Sequence, residues 1–259
     1  MCLVLLSWKK HDQLPLVIAA NRDEQFGRDA IPIGWWDDQP DIVGGRDLLA
    51  GGTWLAFSRH GRFGIITNFR DPVQPVASKS RGELIPLWLS GRYGAQDFQA
   101  LMEENEGDYA GFNLLYGDRE TLNYFSNRST VSGPLPAGFY ALSNAALDAA
   151  WPKMNSGSAF IADAVRDNDV SPNRFAQFLR NTTPAPDAAL PQPFLPLELR
   201  RTLSAPFIVG DEYGTRCSTV ATVSTTGAID LHEQYYAPRG EPTAASHIQF
   251  TFSPAPTEK

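Results

Sequence analysis

MCLVLLSW, residues 1–8, and LPLVIAAN, residues 14–21, are short apolar runs of strand-forming residues separated by a polar tip from Lys9 to Gln13. That pattern predicts a β-hairpin whose first strand begins at the start of the chain. A hairpin returns its second strand to the point where its first began. It therefore brings Asn21, Arg22, Asp23 and Glu24, the four polar residues that end the second run, back beside Cys2. Methionine before a small residue is normally trimmed, so the mature chain would open on Cys2 with an amine and a thiol on one residue. A free α-amine has an ordinary pKa near 8 and can take a proton from a neighbouring thiol, a pairing used in acyl transfer. The expected consequence is a moderately depressed thiol pKa at Cys2, held down by its own ammonium and Arg22 and opposed by Asp23 and Glu24.

Working outward, TWLAFSRHGRFGIITNF, residues 53–69, repeats the hairpin form around Arg59-His60-Gly61. The glycine-rich QPDIVGGRDLLAGGTW between the two reads as an irregular loop with a tight turn. From Arg81 to Glu104 apolar residues recur at three- and four-residue intervals, the helical period, with Gly91 and Gly107 as stops. Strands return at GFNLLYGDRETLNYFSN, and helices at 151–167 and 171–181, the latter with Ser171 as cap and Pro172 at the first helical position. A proline-rich loop over 182–196 follows, and the end is strand again. Strands and helices come in blocks, which predicts an α+β layered fold and not a doubly wound parallel sheet. The two opening hairpins are expected side by side in one sheet facing a second sheet. With no repeat and no boundary, residues 1–259 read as one domain.

Composition limits the function. Of 259 residues, 22 are Lys or Arg and 29 are Asp or Glu, a net charge of −7. That balance argues against a nucleic-acid binder, which needs clustered cations. No apolar run reaches about 18 residues, so no integral membrane segment is expected. Two cysteines, Cys2 and Cys217, make no disulfide framework, and the expected compartment is the reducing cytoplasm. The histidines His11, His60, His232 and His247 stand in polar or tip positions, so neither a cofactor nor a metal site is expected. The segment GGRDLLAGG lacks the spacing of a phosphate loop.

Asn68 and Asn144 each end a strand-like run and offer neutral N–H donors of the kind that hold an oxyanion. Arg216 leads into a late strand and can pair with Asp23 or with a substrate carboxylate. Phe26, Trp35 and Trp36 are candidates for an apolar pocket wall beside the cluster.

The set of motifs MC, NRDE, AGGTWL, TNFRD, SRGEL, GFNLLYGD, LSNAALDAAWPK and YGTRCSTV, in order along the whole chain, strongly resembles the NRDE family, also called the transport-and-Golgi-organisation protein 2 family. The resemblance implies a four-layer α-β-β-α sandwich of the N-terminal-nucleophile hydrolase type. It also implies a comparison with choloylglycine hydrolases and penicillin V acylases. Carried over, that comparison implies Cys2 as nucleophile, Arg22 and Asp23 beside its amine, Asn68 and Asn144 near the oxyanion, and Arg216 in support. In the acylases the Arg and Asp are separated by two residues, whereas Arg22 and Asp23 are adjacent and alternate in a regular strand. Either a bulge re-aims one of them, or Glu24 or Asn21 takes one role. The expected function is cleavage of a C–N bond in a small linear amide. The alternative is a non-catalytic binding or transfer protein for haem, an acyl-CoA or a lipid.

Overall fold

A computed structural model describes residues 2–72 and 77–253. The fate of Met1 lies outside the described residues. The chain opens with β1 (Cys2–Trp8), β2 (Leu16–Gln25), β3 (Ala30–Trp35), β4 (Ile42–Asp47), β5 (Leu55–Ser58) and β6 (Phe63–Asn68). Two short helices, α1 (Leu84–Leu89) and α2 (Ala95–Glu104), precede β7 (Phe112–Gly117), β8 (Leu122–Ser126), β9 (Gly133–Pro134) and β10 (Gly138–Leu142). Then come α3 (Pro152–Arg166), α4 (Pro172–Leu179) and α5 (Leu197–Ser204), and finally β11 (Tyr213–Val223), β12 (Ala228–Tyr236) and β13 (Pro242–Thr251).

Two antiparallel sheets form. One runs β10-β1-β2-β11-β12-β13 and the other β3-β4-β5-β6-β7-β8-β9. Strand residues alternate between faces, and the burial follows that alternation. Val4, Leu6, Trp8, Ile18 and Ala20 of the first sheet meet Val43, Leu55, Phe57, Phe63 and Leu115 of the second in one core. Leu3, Leu5, Val17 and Ala19 face the other way and pack under Met154 and Ile161 of α3 and Phe175 and Leu179 of α4. On the outer face of the second sheet, Ile85 and Trp88 of α1 and Phe98 and Met102 of α2 cover Ala56, Leu114 and Tyr116. The result is the four-layer α-β-β-α sandwich that the resemblance implies.

Two expectations are corrected. The opening hairpins do not share a sheet: β1-β2 lies in one, β5-β6 in the other, and the far edge of β2 is taken by β11. The glycine-rich stretch before Trp54 is not a loop throughout, because β4 runs through it and pairs with β5. Glycine is required there by close packing. A Cβ on Gly44 would lie 2.5 Å from the Ala56 Cβ, and one on Gly45 would lie 2.1 Å from the Trp54 ring. The helical stretch 81–104 is broken after Leu89, where Gly91 adopts φ +78°. At α4 the Ser171 hydroxyl accepts from the Arg174 N–H, as the capping pattern predicts.

Candidate functional site

Cys2 opens β1, half-buried, and stands directly opposite Arg22 of β2, which is opposite Cys217 of β11. Directly opposed residues of antiparallel strands share a face. Cys2, Arg22 and Cys217 therefore form a row on the face turned toward the second sheet. The main chain of Cys2 is pinned: its carbonyl accepts from the Ser143 hydroxyl at 2.7 Å, and the Ser143 carbonyl accepts from the Thr67 hydroxyl at 2.7 Å. The ends of β10 and β6, from opposite sheets, thus meet at the thiol.

Arg22 is buried, with its guanidinium 4.2 Å from the Trp54 ring centroid. Its Nη1 makes no hydrogen bond among the described residues, so one buried N–H group is available at the head of the row. Asp23 is also buried and alternates toward the helical side. One of its oxygens accepts from the Thr215 hydroxyl at 2.7 Å, while its carbonyl accepts from the Tyr213 hydroxyl at 3.3 Å. Burial pushes the Asp23 carboxyl up, against the opposing pull of the Lys153 ammonium, the Thr215 hydroxyl and Arg22. Lys153, near the start of α3, is buried and donates to the Leu203 carbonyl at 3.0 Å. Burial pulls its pKa down, while Asp23 and Cys2 hold it up.

The Cys2 thiol lies above its ordinary value. Burial is the main cause, the Asp23 carboxylate adds to it, and the Asp23 main-chain N–H and Arg22 pull the other way. With residue 1 still in place, withdrawal from water outweighs the cations; the expected depression belongs to the processed chain, in which Cys2 carries its own ammonium. Cys217 is fully buried, and burial together with Glu233 pushes it well above its ordinary value.

The question raised by the adjacency of Arg22 and Asp23 has a definite answer in the fold. The bulge lies in β11, between Thr215 and Cys217, and not in β2. The two residues keep opposite faces, yet both act on the thiol because Cys2 sits at the strand end. Asn21 takes neither role. It is opposite Leu3 on the helical face, where its Nδ2 donates to the Leu179 and Pro206 carbonyls at 2.8 Å each and its Oδ1 accepts from Ser218 at 2.6 Å. Glu24 lies past the row, opposite Gly214, and accepts from the Gln25 N–H at 2.9 Å.

Asn144 is buried and comes near. It lies two residues past Leu142, which pairs with Val4, at the end of β10 that runs toward the start of β1. Its Nδ2 donates to the Asn68 carbonyl at 2.6 Å and its own carbonyl accepts from the Arg70 N–H at 3.0 Å. Asn68 ends β6 with an exposed side chain. Arg216 is the bulged residue, and its guanidinium ties down the segment after β2 by donating to the Gln25, Phe26 and Arg28 carbonyls at 2.7, 3.2 and 3.0 Å.

The three aromatic candidates are engaged in packing. Trp36 is buried in the core under α1 and α2 and donates to the Gly44 carbonyl. Trp35 packs edge-on to Phe250 at 4.9 Å, and Phe26 lies against Arg216. Successive residues of a strand point to opposite faces, so Trp35 and Trp36 do not make one wall.

Four residues join the cluster that the sequence reading did not single out: Lys153, Tyr213, Arg70 and Arg81. Burial pushes the Tyr213 phenol up, and Asp23 and Cys2 add to the shift. Burial lowers Arg70, which faces the Asp23 charge, and also Arg81, which faces Glu24 and Cys2. All four stand inside quoted motifs (YGTRCSTV, TNFRD, SRGEL and LSNAALDAAWPK), which was the available signal.

Curated relatives include the Transport and Golgi organization 2 homolog of Mus musculus, 28% identical over 240 residues, 85% of this chain and 86% of the relative. The Homo sapiens homolog is 28% identical over 236 residues with the same coverage. Among solved structures, the mutant C2A conjugated bile acid hydrolase from Clostridium perfringens is 10% identical, with TM-score 0.47, over 96% of this chain and 92% of that one. A Caenorhabditis elegans N-acylethanolamine-hydrolyzing acid amidase ortholog is 10% identical, with TM-score 0.40, over 85% and 92%. Likeness at that level is silent on activity. Among the described residues no helix is long and apolar enough to cross a membrane. The family description "Transport and Golgi organisation 2" matches residues 1–238. The chain belongs to that family.

Proposed function

We propose that the mature chain, with Met1 removed, is an N-terminal cysteine hydrolase that cleaves a C–N bond of a small linear amide in a reducing, cytoplasmic setting. The observation that carries this reading is the position of Cys2. It is a half-buried residue at the head of a row, with Arg22 and Asp23 beside it on the end of β2 and Asn144 just past the end of β10. The other cysteine is sealed in the core.

Attack by sulfur requires a base to take the thiol proton. The α-amine exposed by processing is that base. Sulfur attacks the amide carbonyl carbon while the thiol proton passes to the amine. The C–N bond then breaks, and the leaving nitrogen takes that proton. Water hydrolyses the resulting thioester, which releases the acid and restores the thiol. Arg22 and the side-chain amide of Asn68 are the groups offered to the charge that develops on oxygen.

The test is amine release from a panel of N-acyl amides of graded chain length. Processed protein is expected to turn over at least one of them. Cys2→Ala, and a variant with one residue inserted before Cys2, are expected to turn over none. Absence of turnover alongside saturable binding of an acyl-CoA, lipid or haem would move the function to the binding and transfer class.

A further inference from the structure

The expectation of no metal site meets a counterexample far from Cys2. His232 of β12 and His247 of β13 are directly opposed in the register, and their rings stack at 3.9 Å with an interplanar angle of 16°. Both Nε2 atoms converge on one carboxylate oxygen of Asp230, at 3.0 Å from His232 and 2.6 Å from His247. One ligand atom from each of the three residues lies within 4.8 Å of the other two.

We propose that Asp230, His232 and His247 form a binding site for a borderline divalent transition-metal ion, zinc foremost, that clips the edge strand β13 to β12. The donor set is the first argument. Two imidazoles and a carboxylate suit zinc, iron, nickel or copper, whereas calcium and magnesium call for oxygen ligands. Spacing is the second. Zinc holds nitrogen and oxygen at about 2.0–2.2 Å, which sets tetrahedral ligand atoms roughly 3.3 Å apart, so these three reach that geometry by small side-chain movements.

Orientation is the third. Gln249, opposite Asp230 in the register, hydrogen-bonds the same carboxylate and fixes it from behind. Metal binding needs the Nε2 lone pairs, so any proton on Nε2 moves to Nδ1 or leaves to solvent. Access is open: His232 and His247 line a depression of about 340 Å³ between α4 and β13, and Asp230 and His232 line the next. His247 also lies beyond residue 238, outside the matched family region.

The test is zinc titration of the chelator-treated full chain by calorimetry, together with thermal unfolding. Cys2 is a second possible ligand, so the informative quantity is the equivalent lost on substitution. Wild type is expected to take one zinc equivalent that His247→Ala and Asp230→Asn lose or bind at least about tenfold more weakly. His60→Ala, at an unrelated His–Asp pair, should keep it. Zinc at a hundredfold excess over Kd should raise the wild-type Tm by roughly 5–10 °C and leave His247→Ala unmoved. Retention of both the equivalent and the Tm shift by His232→Ala/His247→Ala overturns the proposal, as does a wild type that takes no more zinc than that variant. His247 has a half-exposed side chain, so its loss leaves the fold intact.

Discussion

Lys153 shows at the scale of one residue what the sequence withheld. A lysine at the second position of α3, in AAWPKM, reads as a solvated helix start, yet α3 lies so close to β1 that a Cβ on its Gly157 would meet Leu5 at 2.4 Å. That approach buries Lys153 against Asp23. Removing one member of a buried charge pair strands the other, at about 3–5 kcal/mol. Lys153→Met is therefore expected to destabilise the chain by about 3 kcal/mol in denaturant unfolding. Asp23→Asn/Lys153→Met should be more stable than the sum of the two single losses predicts. Strict additivity would show that the two charges do not act on each other.

Among elements, what was legible followed local pattern. Short apolar, strand-forming runs marked β1, β2, β5 and β6. The three- and four-residue spacing marked α1 and α2, and the Ser171-Pro172 pair fixed the start of α4 to the residue. The antiparallel return of β2 was enough to set Arg22 across from Cys2. What was missed depends on distant partners. β4 looked like a loop because Gly44 and Gly45 are strand-poor residues, chosen for the close approach of Ala56 and Trp54. The transfer of the second hairpin to the other sheet is decided by β11 claiming the edge of β2, nearly 200 positions later. The roles of Asn21 and Arg216 were misjudged for a similar reason. Residue type announced a polar function, but the groups they bond, the Leu179 and Pro206 carbonyls and the turn after β2, are brought to them only by the fold.

At the scale of the molecule, one buried carboxylate bridges the two sheets. Glu233 of β12 is buried; it accepts from the Ile33 N–H of the opposite sheet at 2.8 Å and from the Thr219 hydroxyl of its own sheet at 2.6 Å. Burial raises its pKa above the ordinary 4.5, against the pull of these donors, the Cys217 thiol and Arg22. The folded chain therefore keeps a proton that the unfolded chain releases. Stability from this group is full below the unfolded value and declines as pH climbs through the folded one. Glu233→Gln does not titrate. The Tm advantage of wild type over this variant should accordingly shrink as pH is raised from about 4.5, read by thermal unfolding across a pH series. A difference that stays constant with pH would remove Glu233 from the linkage.

The central claim is that Cys2 acts as a nucleophile with its own amine as base. The most direct measurement is the rate of thiol alkylation at each cysteine, read by peptide mapping. It is made on the processed chain and on the same chain with one residue left before Cys2. The account predicts that Cys2 in the processed chain labels well ahead of the buried Cys217. It also predicts that the advantage falls about tenfold or more when the amine is blocked, because the thiolate is formed by proton transfer to that amine. Equal labelling of the two cysteines, or a Cys2 rate indifferent to the added residue, would contradict it.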